Sequence, residues 1–109
     1  MGPVRRSSYG HPMATLHIEH QVTAYDEWRT AFDGFADARH DAGVVVERVA
    51  RLVDDPCYVV VGLDFDTAER AAAFLVFLET RVWTGPVSAP ALVGRPRTAI
   101  FQLESPPAT

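Results

Sequence analysis

The residues Ala14–Val22 alternate apolar and polar side chains, and a two-residue period of that length fits an extended strand with two chemically different faces. Leu16, Ile18 and Val22 project to one side; Thr15, His17, Glu19 and Gln21 project to the other. Such a strand packs its apolar face under helices and leaves its polar face to line whatever lies on the open side of the sheet.

The rest of the chain supplies those helices and the neighbouring strands. Thr23 stands three residues before Asp26, the spacing of a capping-box helix start. Tyr25, Trp28, Phe32 and Phe35 then form an apolar stripe that predicts a helix to about Asp41, closed by Gly43, with Trp28 in the core rather than serving as a cofactor platform. Val44–Val53 is rich in β-branched residues and reads as a second strand, whose blurred alternation leaves its faces unassigned. Asp54-Asp55-Pro56 is a turn, so a hairpin leads into a third strand, Cys57–Phe65. There Val59, Val61, Leu63 and Phe65 share an apolar face, and Tyr58, Val60, Gly62 and Asp64 share the other. Asp66, with Glu69 three residues on, starts a second helix to about Val82. Its centre, Ala71–Leu78, is apolar almost all round, which predicts cover on more than one side by the following segment or by another subunit. Thr84–Pro96 is broken by Gly85-Pro86, Pro90, Gly94 and Pro96, with room for one turn capped by Ser88. Thr98–Glu104 is the last strand, with Ala99, Phe101 and Leu103 on one side and Ile100 and Gln102 on the other. The expected organisation is a flexible arm over residues 1–13 with Met13 as a natural start, one domain over 14–104, and a fraying tail over 105–109.

Composition excludes several functions. The formal net charge is −4, with Arg5 and Arg6 in the arm, so the domain lacks the basic footprint of a nucleic-acid binder. No apolar run approaches the roughly 20 residues that a membrane-spanning helix needs, and the arm lacks the apolar core of a signal peptide. A cytoplasmic location without a membrane partner is the expectation. The chain has no Lys, which excludes Schiff-base chemistry, and its single Cys57 forms no internal disulfide and reads as a small core residue.

Strand, helix, strand, strand, helix, strand is the order of the split βαβ arrangement, an α+β ferredoxin-like fold with a four-stranded antiparallel sheet and two helices on one face. The second face is then expected to carry His17, Glu19, Gln21, Tyr58, Asp64 and Gln102 among Val60 and Ile100, a mixture that suits a lined cavity. With this topology, the helix opening Tyr25-Asp-Glu-Trp28 and the segment Asp64-Phe-Asp-Thr-Ala68, the chain over Ala14–Glu104 resembles the dimeric α+β barrel superfamily. Within it, the chain is similar to small proteins of the antibiotic-biosynthesis-monooxygenase-like or cyclase-like kind. The resemblance implies a homodimer whose two sheets face each other across a closed barrel, and a cavity for a small aromatic or polyketide-like molecule. Haem-degrading and several monooxygenase relatives rely on an Asn; this chain has none, so no catalytic residue carries over.

His17 and Glu19, two apart on a strand, present an imidazole and a carboxylate to the same space, the minimum for a base and its orienting group. The same pair also suits a polar contact with water or a partner chain. His20 falls on the opposite face, so His17-Ile-Glu-His20 does not make a metal site, and neither metal nor cofactor is expected. Tyr58, Asp64, Gln21 and Gln102 are the candidate substrate contacts, with Trp83 at the end of the second helix as a cavity-mouth residue. Two functions stand open: a cofactor-independent monooxygenase, or a related cyclase, using His17 and Glu19; and a non-catalytic ligand-binding or interaction dimer.

Overall fold

A computed structural model of the chain describes residues 13–85, 89 and 91–104. Most of the expected arm, the tail and the turn capped by Ser88 lie outside the described residues. At the end of the expected arm the Met13 carbonyl accepts the Leu103 N–H at 2.9 Å. The elements are β1 (Ala14–Val22), α1 (Tyr25–Gly34), α2 (Ala36–Ala42), β2 (Val44–Leu52), β3 (Asp55–Phe65), α3 (Ala68–Phe77) continued by a π-helical turn (Leu78–Val82), and β4 (Leu92–Gln102). The strands form one antiparallel sheet in the order β2-β3-β1-β4, which is the predicted ferredoxin-like α+β fold.

The alternation in β1 decides which side is covered. Leu16 and Ile18 pack with Val59, Val61, Leu63 and Phe65 of β3 beneath Trp28, Phe74 and Leu78 of the helices. His17, Glu19 and Gln21 face the open side, half-buried.

Local departures from the expected elements each have a physical cause. The predicted first helix is two. Phe35 leaves helical geometry at φ −102° and ψ 18°, and the Phe32 carbonyl accepts from the Phe35 N–H and the Arg39 guanidinium. Ala24, not Thr23, precedes the first helical turn, with no side-chain cap, and Thr23 instead donates its N–H to the Ala91 carbonyl at 2.9 Å. In α3 the cap is Thr67 rather than Asp66, its hydroxyl accepting the Arg70 N–H at 3.1 Å. The β2–β3 turn is Val53-Asp54, and Pro56 already lies in β3.

The largest difference is in β4, which starts at Leu92 and not at Thr98. Gly94, at φ 69°, and Pro96 sit where the β1–β4 register shifts between Glu19 and Gln21. A bulge interrupts the ladder there, so a left-handed glycine and a residue without an N–H cost no regular pairing. On the outside of α3, Ala72, Ala73 and Val76 are exposed.

Candidate functional site

Register determines what meets on the open face, because residues opposite each other in antiparallel strands share a face. His17 lies opposite Gly62 and Ala99, and its ring meets Phe101 edge-on at 6.2 Å, while the space beside Gly62 is taken by the Arg48 guanidinium. Glu19 lies opposite Val60 and Arg97, and Gln21 opposite Tyr58. The Glu19 carboxylate thereby accepts from two donors: the Tyr58 hydroxyl, and His17 Nε2 at 2.8 Å. The Tyr58 hydroxyl first, and the His17 contact second, hold the Glu19 carboxyl below the usual carboxylate range. The same hydrogen bond pushes the Tyr58 phenol up. Nε2 carries the proton in this contact, so Nδ1 is the nitrogen left to accept one.

The other expected contacts are not part of this cluster. Gln21 donates to Asp55 at 3.2 Å. Asp64 is 1% exposed, and one of its oxygens accepts from Thr15 at 2.6 Å and from Arg48 at 3.2 Å, so the carboxylate serves the sheet and offers little to a ligand. Gln102 is on the wrong face for the predicted role. It lies opposite Ala14, as Ile100 lies opposite Leu16, and donates to Glu104 at 3.2 Å. Phe101, Ala99 and Arg97 occupy the open face instead. From Thr98 to Gln102 the even residues of β4 therefore lie on the helix side of the sheet. Trp83 is also on the helix side.

That helix side contains a second candidate site. A cavity of about 70 Å³ lies between helices and sheet, floored by Ile18, His20 and Val61 and walled by Trp28, Phe32 and Trp83. His20 is 5% exposed, and neither ring nitrogen has a hydrogen-bond partner among the described residues. Burial pushes its imidazole down to about 4, so it is neutral near pH 7. Its ring meets Trp28 edge-on at 5.7 Å, and Trp28 stacks on Phe32 at 4.9 Å. Arg39 continues the stack, 3.7 Å over Phe32, with its guanidinium held by Glu47 at 2.9 and 3.2 Å. The cavity is therefore aromatic, with an unpaired neutral base at one side and a neutralised cation at another. Sequence reasoning placed His20 on the face opposite His17 and weighed it only as a metal ligand; the signal for a cavity role was one polar side chain in the series Leu16, Ile18, His20, Val22.

Among the described residues no group of three or more His, Cys, Asp or Glu side chains is placed to hold a metal ion. No described helix is long and apolar enough to cross a membrane.

The fold is the ferredoxin-like α+β fold. Among solved structures it is similar to SnoaB, a cofactor-independent oxygenase from Streptomyces nogalater, at 18% identity over 87% of this chain and 96% of that one, with a TM-score of 0.65. It is similar to a protein of Nitrosomonas europaea provisionally named an antibiotic biosynthesis monooxygenase, at 15% identity over 90% and 96% of the two chains, TM-score 0.65. A dimeric ferredoxin-like protein from an uncultured marine organism matches at 12% identity over 88% and 99%, TM-score 0.62. The sequence matches no known family profile and no curated protein.

Proposed function

We propose that this chain is a cytoplasmic homodimer that binds a planar aromatic or polyketide-like molecule between helices and sheet and oxygenates it without a cofactor. The observation that carries the reading is His20, a buried neutral imidazole without a partner in an aromatic cavity. Leaving such a group unsatisfied costs about 1–3 kcal/mol, and a ligand that hydrogen-bonds to it recovers that cost.

In this reading His20 removes a proton from an activated CH₂ group, leaving a carbanion delocalised into the ring system. The nascent anion stabilises the imidazolium that burial otherwise disfavours, so proton transfer is coupled to the substrate's own charge. The carbanion adds O₂, the imidazolium returns its proton to the peroxide, and loss of water leaves a ketone. One oxygen atom enters the product, the other leaves as water, and the substrate supplies all the electrons. The likeness in fold to a cofactor-independent oxygenase supports this chemistry. The likeness to dimeric ferredoxin-like proteins supports the dimer, in which the open face bearing Phe101 and Val46 meets its copy.

A second reading keeps the chemistry on the open face, with His17 as base through Nδ1, Glu19 holding its other nitrogen, and Tyr58 beside the substrate. It is favoured by the double donation to Glu19. Turnover of anthrones and quinols under ¹⁸O₂ by His20→Ala and His17→Ala decides between them. The cavity reading expects one labelled oxygen in the product and a fall in kcat of about 100-fold or more with His20→Ala. The same fall with His17→Ala alone transfers the chemistry to the open face, and ligand retention without product supports a binding dimer.

A further inference from the structure

The inner cavity does not end the space available to a ligand. Trp83 and Leu92 line both it and an outer groove of about 750 Å³ that runs between the π-helical turn and the bulged start of β4. An apolar cavity that accepts a single benzene measures roughly 150 Å³, about twice the inner cavity's 70 Å³. Any aromatic ligand that reaches His20 must therefore extend past Trp83 and Leu92 into the groove.

The two compartments differ in chemistry. The inner one is aromatic and aliphatic apart from His20 and Arg39, whereas the groove carries Glu79, Thr84, Arg95 and Thr98. Arg95 is exposed and, among the described residues, makes no hydrogen bond or ion pair. The groove is built by two irregularities. The π turn closes with the Trp83 N–H on the Leu78 carbonyl at 2.8 Å, which places Trp83 at the partition. The bulge carries Gly94, around whose absent Cβ there is open space.

We infer that this groove is the outer half of the ligand site and that Arg95 selects a planar aromatic ligand bearing an anionic substituent such as a carboxylate or sulfonate. The inference rests on occupation of the inner cavity and adds the chemistry of the ligand's other end. Glu79, in the same groove, repels an anion and restricts it to the Arg95 side.

Two fluorescent probes that share a skeleton test this on the full chain: 8-anilinonaphthalene-1-sulfonate, which is anionic, and N-phenyl-1-naphthylamine, which is neutral. The expected result is tighter binding of the sulfonate, a preference that declines with added salt. Arg95→Ala should weaken the sulfonate about three- to fivefold, the scale of an exposed ion pair, while leaving the neutral probe within about twofold. Glu79→Gln should tighten the sulfonate. Both side chains are exposed, so neither variant disturbs the core. An unchanged ratio of the two affinities in Arg95→Ala overturns the assignment of Arg95 and leaves the inner-cavity reading standing. Ala31→Phe, which fills the inner cavity, should abolish binding of both probes. If it changes neither, or if neither probe binds the unaltered protein, the inner-cavity reading falls and this inference with it.

Discussion

His20 and Glu19 are neighbours in sequence on opposite faces of one strand, and their environments move their titrations for different reasons. Burial lowers His20 to about 4 from its ordinary 6.5. As pH falls from 6.5 the unfolded chain takes up a proton that the folded chain refuses until about pH 4. The stability tied to neutral His20 is thus complete above pH 6.5 and lost through that window, up to about 3 kcal/mol. Urea unfolding at pH 7.5 and 4.5 should show this loss, and His20→Phe should remove that part of it. For Glu19 the carboxylate is favoured by its donors, so its contribution is present above the ordinary carboxylate range and lost as pH falls through the depressed folded value. Tyr58→Phe removes the principal donor, and an NMR titration should find the Glu19 carboxyl moved back up. The His17–Glu19 pair was legible because a two-residue period puts both on one side. Its third member depended on pairing: Tyr58 lies opposite Gln21 and reaches diagonally to Glu19, and no period within one strand contains that register. The same lack misplaced Gln102, since the apolar Ala99 and Phe101 read as a core face but line up with His17 and Thr15.

Elements were most legible where a local residue dictates geometry. Gly43 ends α2 in the left-handed region at φ 99°, as its position predicted, and a Cβ there would come within 2.7 Å of the Arg70 guanidinium. Gly43→Ala should therefore cost about 1–2 kcal/mol of stability, mostly from the backbone, because the Arg70 side chain can swing aside. Thr67→Ala, which removes the α3 cap, should cost about 1 kcal/mol in the same unfolding assay. Elements shaped by partners distant in sequence were less legible. The break at Phe35 depends on Arg39 reaching back to the Phe32 carbonyl, and the early start of β4 depends on the edge of β1 being there to receive Leu92 and Val93. Gly94 and Pro96 argued against a strand only because a bulge was not foreseen.

At the scale of the whole molecule the open sheet face carries Phe101 at 54% exposure beside His17, with Val46 also exposed on that face. If it is the face of a homodimer, Phe101→Asp should yield a folded monomer, with an unchanged circular dichroism spectrum and half the mass in sedimentation equilibrium. A persistent dimer would place the interface elsewhere, with the exposed Val76 flank of α3 as the next surface to test. The order β2-β3-β1-β4 also has a consequence for how the chain is made. β1 is central, yet the strand on one of its edges is the last to emerge. At about 5–20 residues per second, roughly 70 residues of synthesis separate the end of β1 from the start of β4, an interval of about 4–14 s. During that time β1 can pair with β3 while its other edge stays bare, so a nascent chain stalled before Leu92 should need a chaperone to keep that edge from pairing with another copy.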